Sequence, residues 1–348
     1  MVQNGAVPFL RNIWYVAAWS HELGAGQPLA VKIIGEPLAL YRRTDGAVVA
    51  FEDRCPHRQA PLSLGRVEGD ALRCMYHGLK FAADGACLEV PGTRAIPPRT
   101  QVRVYPAVER ASWIWVWMGD PRRADPARIP ATIALDDPEW LMRAGGLDYA
   151  ADWQLVNDNL CDLSHLDFVH ERTLGASTGA SWSAEQPKVT PSDDGLLFER
   201  WFLDHALVGS RAGRVDTWNS YRYLLPGTFL MSTQSFPVGT AQASGFGAPA
   251  AKPIYRRIDQ QAVTPIGERR TRYLYASGVE RAGASEKFAE GVFRVVNESF
   301  AEDRRIIEAQ QAIWDQTPAE HERAFLPQDK APALFRRMVA ARLADERT

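Results

Sequence analysis

Two short pairs of residues carry the clearest chemistry in this chain: Cys55-Pro-His57 and, after sixteen intervening residues, Cys74-Met-Tyr-His77. Thiolate and imidazole together hold either zinc or an iron–sulfur cluster. The order of the residues weighs between them. Zinc sites usually take both cysteines from one knuckle and both histidines from another element, as a zinc ribbon or finger does. Here each pair supplies one of each. That suits a [2Fe–2S] cluster in which two cysteines hold one iron and two histidines the other, with one loop clamping each side. Imidazole in place of thiolate makes such a cluster less negative and raises its potential, useful in an acceptor that feeds electrons to a later step.

A second constellation lies in Asn157–His170. At about 100° per residue, Trp153, Val156, Leu160 and Leu163 share an apolar helical stripe, and Asp158, Asp162 and His165 fall on the other face. Asp162 and His165 are neighbours at i,i+3. A solvated face is the plain reading of these three. His165 and His170 are about 140° apart on a regular helix, so they reach one metal only if the helix ends between them. A third ligand is suggested further on. In the stripe Phe288, Val292, Val296, Phe300, Ile307, the interruption is Asp303. A carboxylate on a buried face is costly unless it is ion-paired or bound to metal. A salt bridge to an arginine would also satisfy it. Two histidines and a carboxylate with open positions form the facial triad of non-haem Fe(II) oxygenases.

These residues need elements to hold them. From Trp14 to about Met118 the chain reads as short strands, such as Leu38–Tyr41, Val48–Phe51 and Ser112–Met118, separated by turn signals at Asp45-Gly46, Gly65, Asp84-Gly85 and Pro91-Gly92. This is an all-β pattern. The Pro- and Asp-rich stretch from Gly119 to Pro138 reads as a link, which places the domains at 1–125 and 126–348. The second domain opens with a helix over about 153–166 and continues with strands between Leu196 and about Val279. A long helix over about 286–314 follows, then another near 331–343. Gly- and Ala-rich residues 239–251 read as a mobile loop. The class is α+β, with a sheet and helices able to grip a small ligand between them.

Composition removes other classes. The 348 residues are 46% hydrophobic with a net charge of −2 and no charge blocks, so nothing favours nucleic acid or an anionic membrane. No stretch approaches the ~20 apolar residues of a membrane span, and a cytoplasmic location is the default expectation. The four cysteines do not make a disulfide framework. Cys87, outside both pairs, reads as a small buried residue. No Gly-x-Gly-x-x-Gly fingerprint follows a strand, so the electrons for O2 activation must come from a separate reductase.

The chain resembles the oxygenase (alpha) component of Rieske non-haem iron oxygenases, of the vanillate O-demethylase, toluenesulfonate methyl-monooxygenase and dicamba demethylase type. The resemblance rests on the two Cys/His pairs with Ala60-Pro-Leu-Ser63 and Gly78, and on Asp162-x-x-His165-x4-His170 with Asp303. Arg11–Trp19, Val108-Glu-Arg110, Ile114–Trp117, Gly119-Asp-Pro121 and Glu302-Asp-Arg304 add to it. It implies an N-terminal all-β Rieske domain followed by a helix-grip (START-like) catalytic domain. It implies that Cys55 and Cys74 hold one cluster iron, His57 and His77 the other, and that His165, His170 and Asp303 ligate a mononuclear Fe(II). Asp162 would hydrogen-bond His165 and receive the cluster histidine, His77, of a neighbouring subunit. Asn159 would lie near the iron without a firm bond. A head-to-tail homotrimer and an NAD(P)H-dependent reductase of flavin and ferredoxin type belong to the same expectation. The implied reaction inserts one oxygen atom at a methyl or methoxy carbon of a small aromatic acid, in aromatic compound catabolism. A ring cis-dihydroxylating dioxygenase is the alternative.

Candidate substrate contacts on the sheet facing the iron are Trp218, Leu230, Met231, Gln261 and Tyr275, with Arg222 or Arg256 available for a carboxylate or sulfonate. Leu230 and Met231 are apolar where relatives place polar residues, and such residues on a strand are more often core than pocket. Two other functions differ in class. A pure electron-transfer protein would be shorter and need no His165, His170 or Asp303. A zinc-bearing binding module would be colourless.

Overall fold

The apolar runs before residue 120 become short strands in the computed structural model, which describes residues 9–175, 180–206, 213–318 and 321–347. The chain divides into two units, Phe9–Ala134 with Thr264–Glu268, and Leu135–Val263 with Arg269–Thr348.

In the first unit, β1 (Trp14–Trp19), β11 (Trp113–Trp117) and β10 (Ala107–Arg110) form an antiparallel sheet in the order β1-β11-β10. All residues of β1 and β11 are buried, which is why Trp113-Ile-Trp-Val-Trp117 is continuously apolar and not alternating. A second sheet orders β2 (Leu29–Ile33), β3 (Glu36–Arg42), β4 (Val48–Glu52) and β9 (Val104–Tyr105). A third orders β5 (Arg66–Glu68), β6 (Ala71–Arg73), β7 (Lys80–Phe81) and β8 (Cys87–Glu89). The Cys/His pairs occupy the loop after β4 and the loop from β6 to β7. Both cysteines pack into a core with Tyr41, Phe51, Leu62, Leu72 and Phe81. The unit runs past residue 125 because the link folds back on it. Trp14 Nε1 donates to the Asp125 carbonyl at 2.9 Å, and Arg110 donates to the Pro126 carbonyl at 3.0 Å.

The second unit holds a seven-stranded antiparallel sheet. Its order is β12 (Trp140–Tyr149), β18 (Arg270–Glu280), β17 (Tyr255–Gly267), β16 (Thr228–Pro237), β15 (Arg214–Leu224), β14 (Gly195–Ala206) and β13 (Lys188–Pro191). Helix α1 (Trp153–Cys161) begins at Asp152, whose side chain accepts from the Gln154 amide. A single turn, α2 (Thr240–Ala243), follows β16. The long helix α3 (Glu286–Gln316) is capped by Ser285 and lays Phe300 against Tyr273 and Tyr275 of β18, with ring centroids 5.2 and 4.6 Å apart. Helix α4 (Lys330–Asp345) is fixed by Phe335 on Tyr223 and by Arg336 on Asp158 of α1. A sheet gripped by helices is the α+β arrangement expected from the sequence.

Residues 239–251 are not the free loop their composition suggests. Asp216 accepts from the amides of Gly239 and Ala241, and Gly247 accepts from the Trp201 indole. No helix among the described residues is long and apolar enough to cross a membrane.

Candidate active site

The two cluster loops are near copies of each other in backbone. In the first, the Cys55 amide donates to the Ala60 carbonyl and the Gln59 amide to the Cys55 carbonyl, both at 2.9 Å. In the second, the Cys74 amide donates to Leu79 at 2.8 Å and the Gly78 amide to Cys74 at 3.0 Å. Each loop turns through a left-handed residue four positions after its cysteine, Gln59 (φ 57°) and Gly78 (φ 79°). Asp53 braces the first loop by accepting from the amide and hydroxyl of Ser63, and Arg73 braces the second by donating to the Gly78 carbonyl at 2.7 Å. Cys55 and Cys74 are buried and in no disulfide, while His57 and His77 are exposed with ring centroids 4.5 Å apart. Burial pushes the Cys55 thiol up to about 11, so a metal must displace its proton to bind. Two buried thiols under two exposed imidazoles fit a [2Fe–2S] cluster whose histidine edge meets the surface. Four donors of alternating type in symmetric loops favour this over a zinc ribbon.

The second site depends on a break in helix. Helix α1 stops at Cys161, Asp162 is extended (φ −130°, ψ 103°), and a 3-10 helix runs from Leu163 to Asp167. The turn after it carries His170. This break brings the two histidines to one point, with ring centroids 5.3 Å apart. Asp303 arrives from the buried stripe of α3, between Phe300 and Ile307, and is 3% exposed. Its carboxylate oxygens lie 3.5 Å from His165 Nε2 and 3.2 Å from His170 Nε2, and one ligand atom from each of the three residues lies within 4.8 Å of the others.

The other ring nitrogens are already committed. His165 Nδ1 donates to the Asp162 carbonyl at 2.6 Å, and His170 Nδ1 donates to Glu302 Oε2 at 2.8 Å. With both Nδ1 atoms engaged, each Nε2 faces the buried Asp303 carboxylate, an arrangement that calls for a cation between them, either a proton on His170 or a metal ion. Burial holds the His165 pKa below its ordinary value. At His170 burial acts the same way, but hydrogen bonds to Asp303 and Glu302 outweigh it and raise the pKa. The three residues fit a mononuclear iron with open positions. Asn159 stands beside them, donating to Asp303 Oδ1 at 3.1 Å with its amide nitrogen 3.4 Å from His165 Nε2.

The Asp162 side chain departs from expectation. Its carboxylate does not bond His165; Oδ1 instead caps the 3-10 helix by accepting from the Ser164 amide at 2.9 Å, and the backbone carbonyl holds the histidine. Asp158 pairs with Arg336 and takes no part in the metal site.

A pocket, about 670 Å³ of empty space counting the part open to solvent, lies beside His165, His170 and Asp303. Leu160, Leu163, Leu166 and Leu174 form its helical wall, Trp182 and Phe300 close it, and β16 and β17 form the sheet wall. Of the five expected contacts, Met231 and Gln261 line it; Trp218, Leu230 and Tyr275 do not. Side chains alternate along a strand, so with Phe229, Met231 and Thr233 inward, Leu230 faces the other side. Trp218 does too, packing with Trp201, Phe236 and Ala241. Tyr275 is on the inner face but lies under α3, against Phe300 and Phe293, with its hydroxyl on Asn297 at 2.6 Å. Arg222 pairs with Asp194, and Arg256 pairs with Glu280 over the Trp140 ring. The pocket's arginine is instead Arg257, paired with Asp259 at 2.7 Å.

Sequence reasoning gave no role to Arg257, Asp259, Trp182 or Glu302. The alternation Arg257-x-Asp259-x-Gln261 was the available signal for a polar stripe on one face of a strand. Glu302 was visible only as a neighbour of Asp303, and nothing local says that it reaches His170.

Comparison with known proteins agrees with this geometry. A family model described as the Rieske [2Fe–2S] domain matches residues 13–106, and one described as the vanillate O-demethylase oxygenase C-terminal domain matches residues 149–345. The iron–sulfur subunit of the toluene-4-sulfonate monooxygenase system of Comamonas testosteroni is 41% identical over 316 residues, 89% of this chain and 90% of that protein. The oxygenase component of dicamba O-demethylase from Stenotrophomonas maltophilia is 35% identical, over 86% of this chain and 88% of that protein. A crystal structure of dicamba monooxygenase bound to 3,6-dichlorosalicylic acid superposes with a TM-score of 0.87 at 31% identity, covering 98% of this chain and all of that one. Symmetric Cys/His loops, a two-histidine, one-carboxylate centre on a helix-gripped sheet, and relatives matched nearly end to end lead to one conclusion: the chain belongs to the Rieske non-haem iron monooxygenases of the vanillate O-demethylase oxygenase family.

Proposed function

We propose that this chain is the oxygenase component of a multicomponent monooxygenase. It hydroxylates a methyl group, or removes the methyl of a methoxy group, on a small aromatic acid, with electrons passed from NAD(P)H through a separate reductase of flavin and ferredoxin type. The observation that carries this is the opening of the His165–His170–Asp303 face onto a pocket walled by Leu160, Leu163, Leu166, Trp182 and Phe300, apolar and aromatic surfaces suited to an aromatic ring. The relatives act on toluene-4-sulfonate and dicamba, as their names state.

His165, His170 and Asp303 would hold an iron, which when bound would supply O2 activation there. The protein's part is placement. The Asp162 carbonyl and Glu302 fix the two imidazoles, while the leucines of the helical wall exclude water and turn the methyl carbon toward the ligands. Inserting one atom of O2 into a methoxy C–H bond gives a hemiacetal, the other atom leaving as water with two electrons from NAD(P)H and two protons. Collapse of the hemiacetal breaks the aryl O–CH2 bond, moves the hydroxyl proton to the phenol oxygen and yields a phenol and formaldehyde. Asp162 is half-buried beside His165, and the imidazoles of the cluster loops are exposed. In a head-to-tail homotrimer the Asp162 carboxylate would receive the cluster histidine of a neighbouring copy and link the two centres.

The test is a panel of methyl-, methoxy- and sulfo-substituted benzoates supplied with a reductase and NADH. Benzyl alcohols or formaldehyde are expected, and cis-diols would overturn the monooxygenase reading. Asp162→Asn is expected to keep cluster colour, iron content and the cap on Ser164 while slowing reduction of the mononuclear site. Unchanged single-turnover rates would remove Asp162 from the electron path.

A further inference from the structure

Strand β17 presents Arg257, Asp259 and Gln261 to the pocket, at alternate positions on one face. Their donors and acceptors do not balance. Arg257 donates to Asp259 Oδ1 at 2.7 Å and, through Nε, to Ser277 Oγ at 3.3 Å. The second carboxylate oxygen, Asp259 Oδ2, has no hydrogen-bond partner, and neither has Gln261 Oε1. Both residues are deeply placed, Asp259 being 3% and Gln261 5% exposed. A buried acceptor without a donor is costly, and two of them on the wall of a cavity mark where a ligand completes the network.

The neighbouring strand does not supply the donor. Met231 stands opposite Asp259 and Phe229 opposite Gln261 across the β16–β17 pair, and neither side chain carries one. Turning the Gln261 amide over would exchange its oxygen for its nitrogen. A carboxylate has no such exchange, so Asp259 Oδ2 calls for a donor in either case. Arg257 already balances the charge of Asp259, so a neutral O–H or N–H suffices and no cation is required. An ionised carboxylate or sulfonate offers acceptors alone and cannot fill this place. Met231 is unbranched and half-buried, so the ground beside Asp259 can yield to a ring that seats there. His165, His170 and Asp303 enter the same pocket from the helical side, where the remaining substituents of a ring held at β17 can face them.

We infer that the substrate carries, besides its acid group, a neutral hydrogen-bond donor on the ring, a hydroxyl or an amino group, and that Asp259 Oδ2 is the contact that selects it. This rests on the monooxygenase reading above and deepens it. Asp259 touches the substrate; Arg257 is a positioning residue that holds the carboxylate by Oδ1 and leaves Oδ2 for the donor. An aromatic acid without the donor leaves that oxygen unpaired, and the pocket discriminates against it.

The experiment uses 3-methoxybenzoates that bear a hydroxyl, an amino group or fluorine at ring position 4 or 5. Fluorine is close to a hydroxyl in size and cannot donate. Anaerobic calorimetry on the enzyme with both metal centres filled gives Kd without turnover, and formaldehyde release with a reductase and NADH gives kcat/KM. At one position at least, the hydroxy or amino compound is expected to bind about 10–100-fold more tightly than its fluoro partner. The two arms separate O–H from N–H. Removing Asp259 alone would strand a buried guanidinium, so the informative variant is Arg257→Met with Asp259→Leu, an apolar pair of similar volume. It is expected to bring the donor-to-fluoro ratio of Kd close to one. Arg257→Lys keeps a cation beside Asp259 and is expected to retain part of the preference. An unchanged ratio in the double variant overturns the assignment. So does a wild-type enzyme that binds donor and fluoro compounds alike at both positions, and since this needs no variant, a misfolded mutant does not shelter the idea. Formaldehyde released equally from all of them would then leave the monooxygenase reading standing. Absence of oxidised product from every compound would overturn both.

Discussion

The cluster loops draw the four side chains proposed to hold metal from one stretch, Cys55 to His77, closed by matching backbone hydrogen bonds. The mononuclear centre joins a broken helix near residue 165 to a buried helix position at 303, and depends on a carbonyl and on Glu302 to aim its histidines. The first site is fixed by local turns and presents its imidazoles to the outside. The second is fixed by tertiary packing and keeps His170 and Asp303 almost wholly buried. An electron entry point gains from a surface edge, whereas a site that handles O2 beside a substrate gains from exclusion of water. The difference predicts that damage to one site should leave the other intact.

The largest test is Cys74→Ala. It should abolish the red-brown colour and all turnover while reducing iron from about three to about one per chain. Loss of all three irons would show that the two centres are not independent. Asp303→Ala should do the converse, with colour retained, one iron lost and product below detection by chromatography. Glu302→Gln removes only the brace on His170 and is expected to weaken mononuclear iron binding about 10–100-fold, with the cluster spectrum unmoved. Equal loss from both centres in iron titrations would break the contrast. Arg336→Met leaves Asp158 of α1 unpaired at a partly buried position, and should cost about 1–3 kcal/mol in urea unfolding without altering the colour. Smallest of all, Leu230→Ala should leave kcat/KM and product identity unchanged, because that side chain faces away from the pocket. A shift in regiochemistry would place it inside.

The same contrast explains what could be read in advance. That Cys55, His57, Cys74 and His77 sit on two like loops with their imidazoles together was legible because the Cys/His order is local. Asp303 was legible because a carboxylate interrupts an apolar helical stripe, which the structure buries from Val296 to Ile307 and leaves half-buried at Phe288 and Val292. The spacing of His165 and His170 demanded a helix end between them; α1 stops earlier than expected, at Cys161, and it is the 3-10 segment ending at Asp167 that separates the two histidines. The use of Asp162 was not legible, since its carboxylate serves as a cap and its carbonyl as the histidine's partner. Strand parity was the other blind spot. Arg256 and Arg257, or Leu230 and Met231, differ by one residue and by a whole face of the sheet, and the hydrophobic pattern alone did not fix that register.

The sheet wall also has a bearing on how this enzyme could change. The three residues that could hold iron come from the segment after α1 and from α3, whereas the inward positions of β16 and β17 (Phe229, Met231, Thr233, Arg257, Asp259 and Gln261) are not among them. Chemistry and recognition are thus written on separate elements. Drift or a focused library at those six alternating positions can rewrite which compound is accepted while the metal centre is inherited unchanged, so one oxygenase lineage can follow new pollutants or plant phenols without relearning how to use O2.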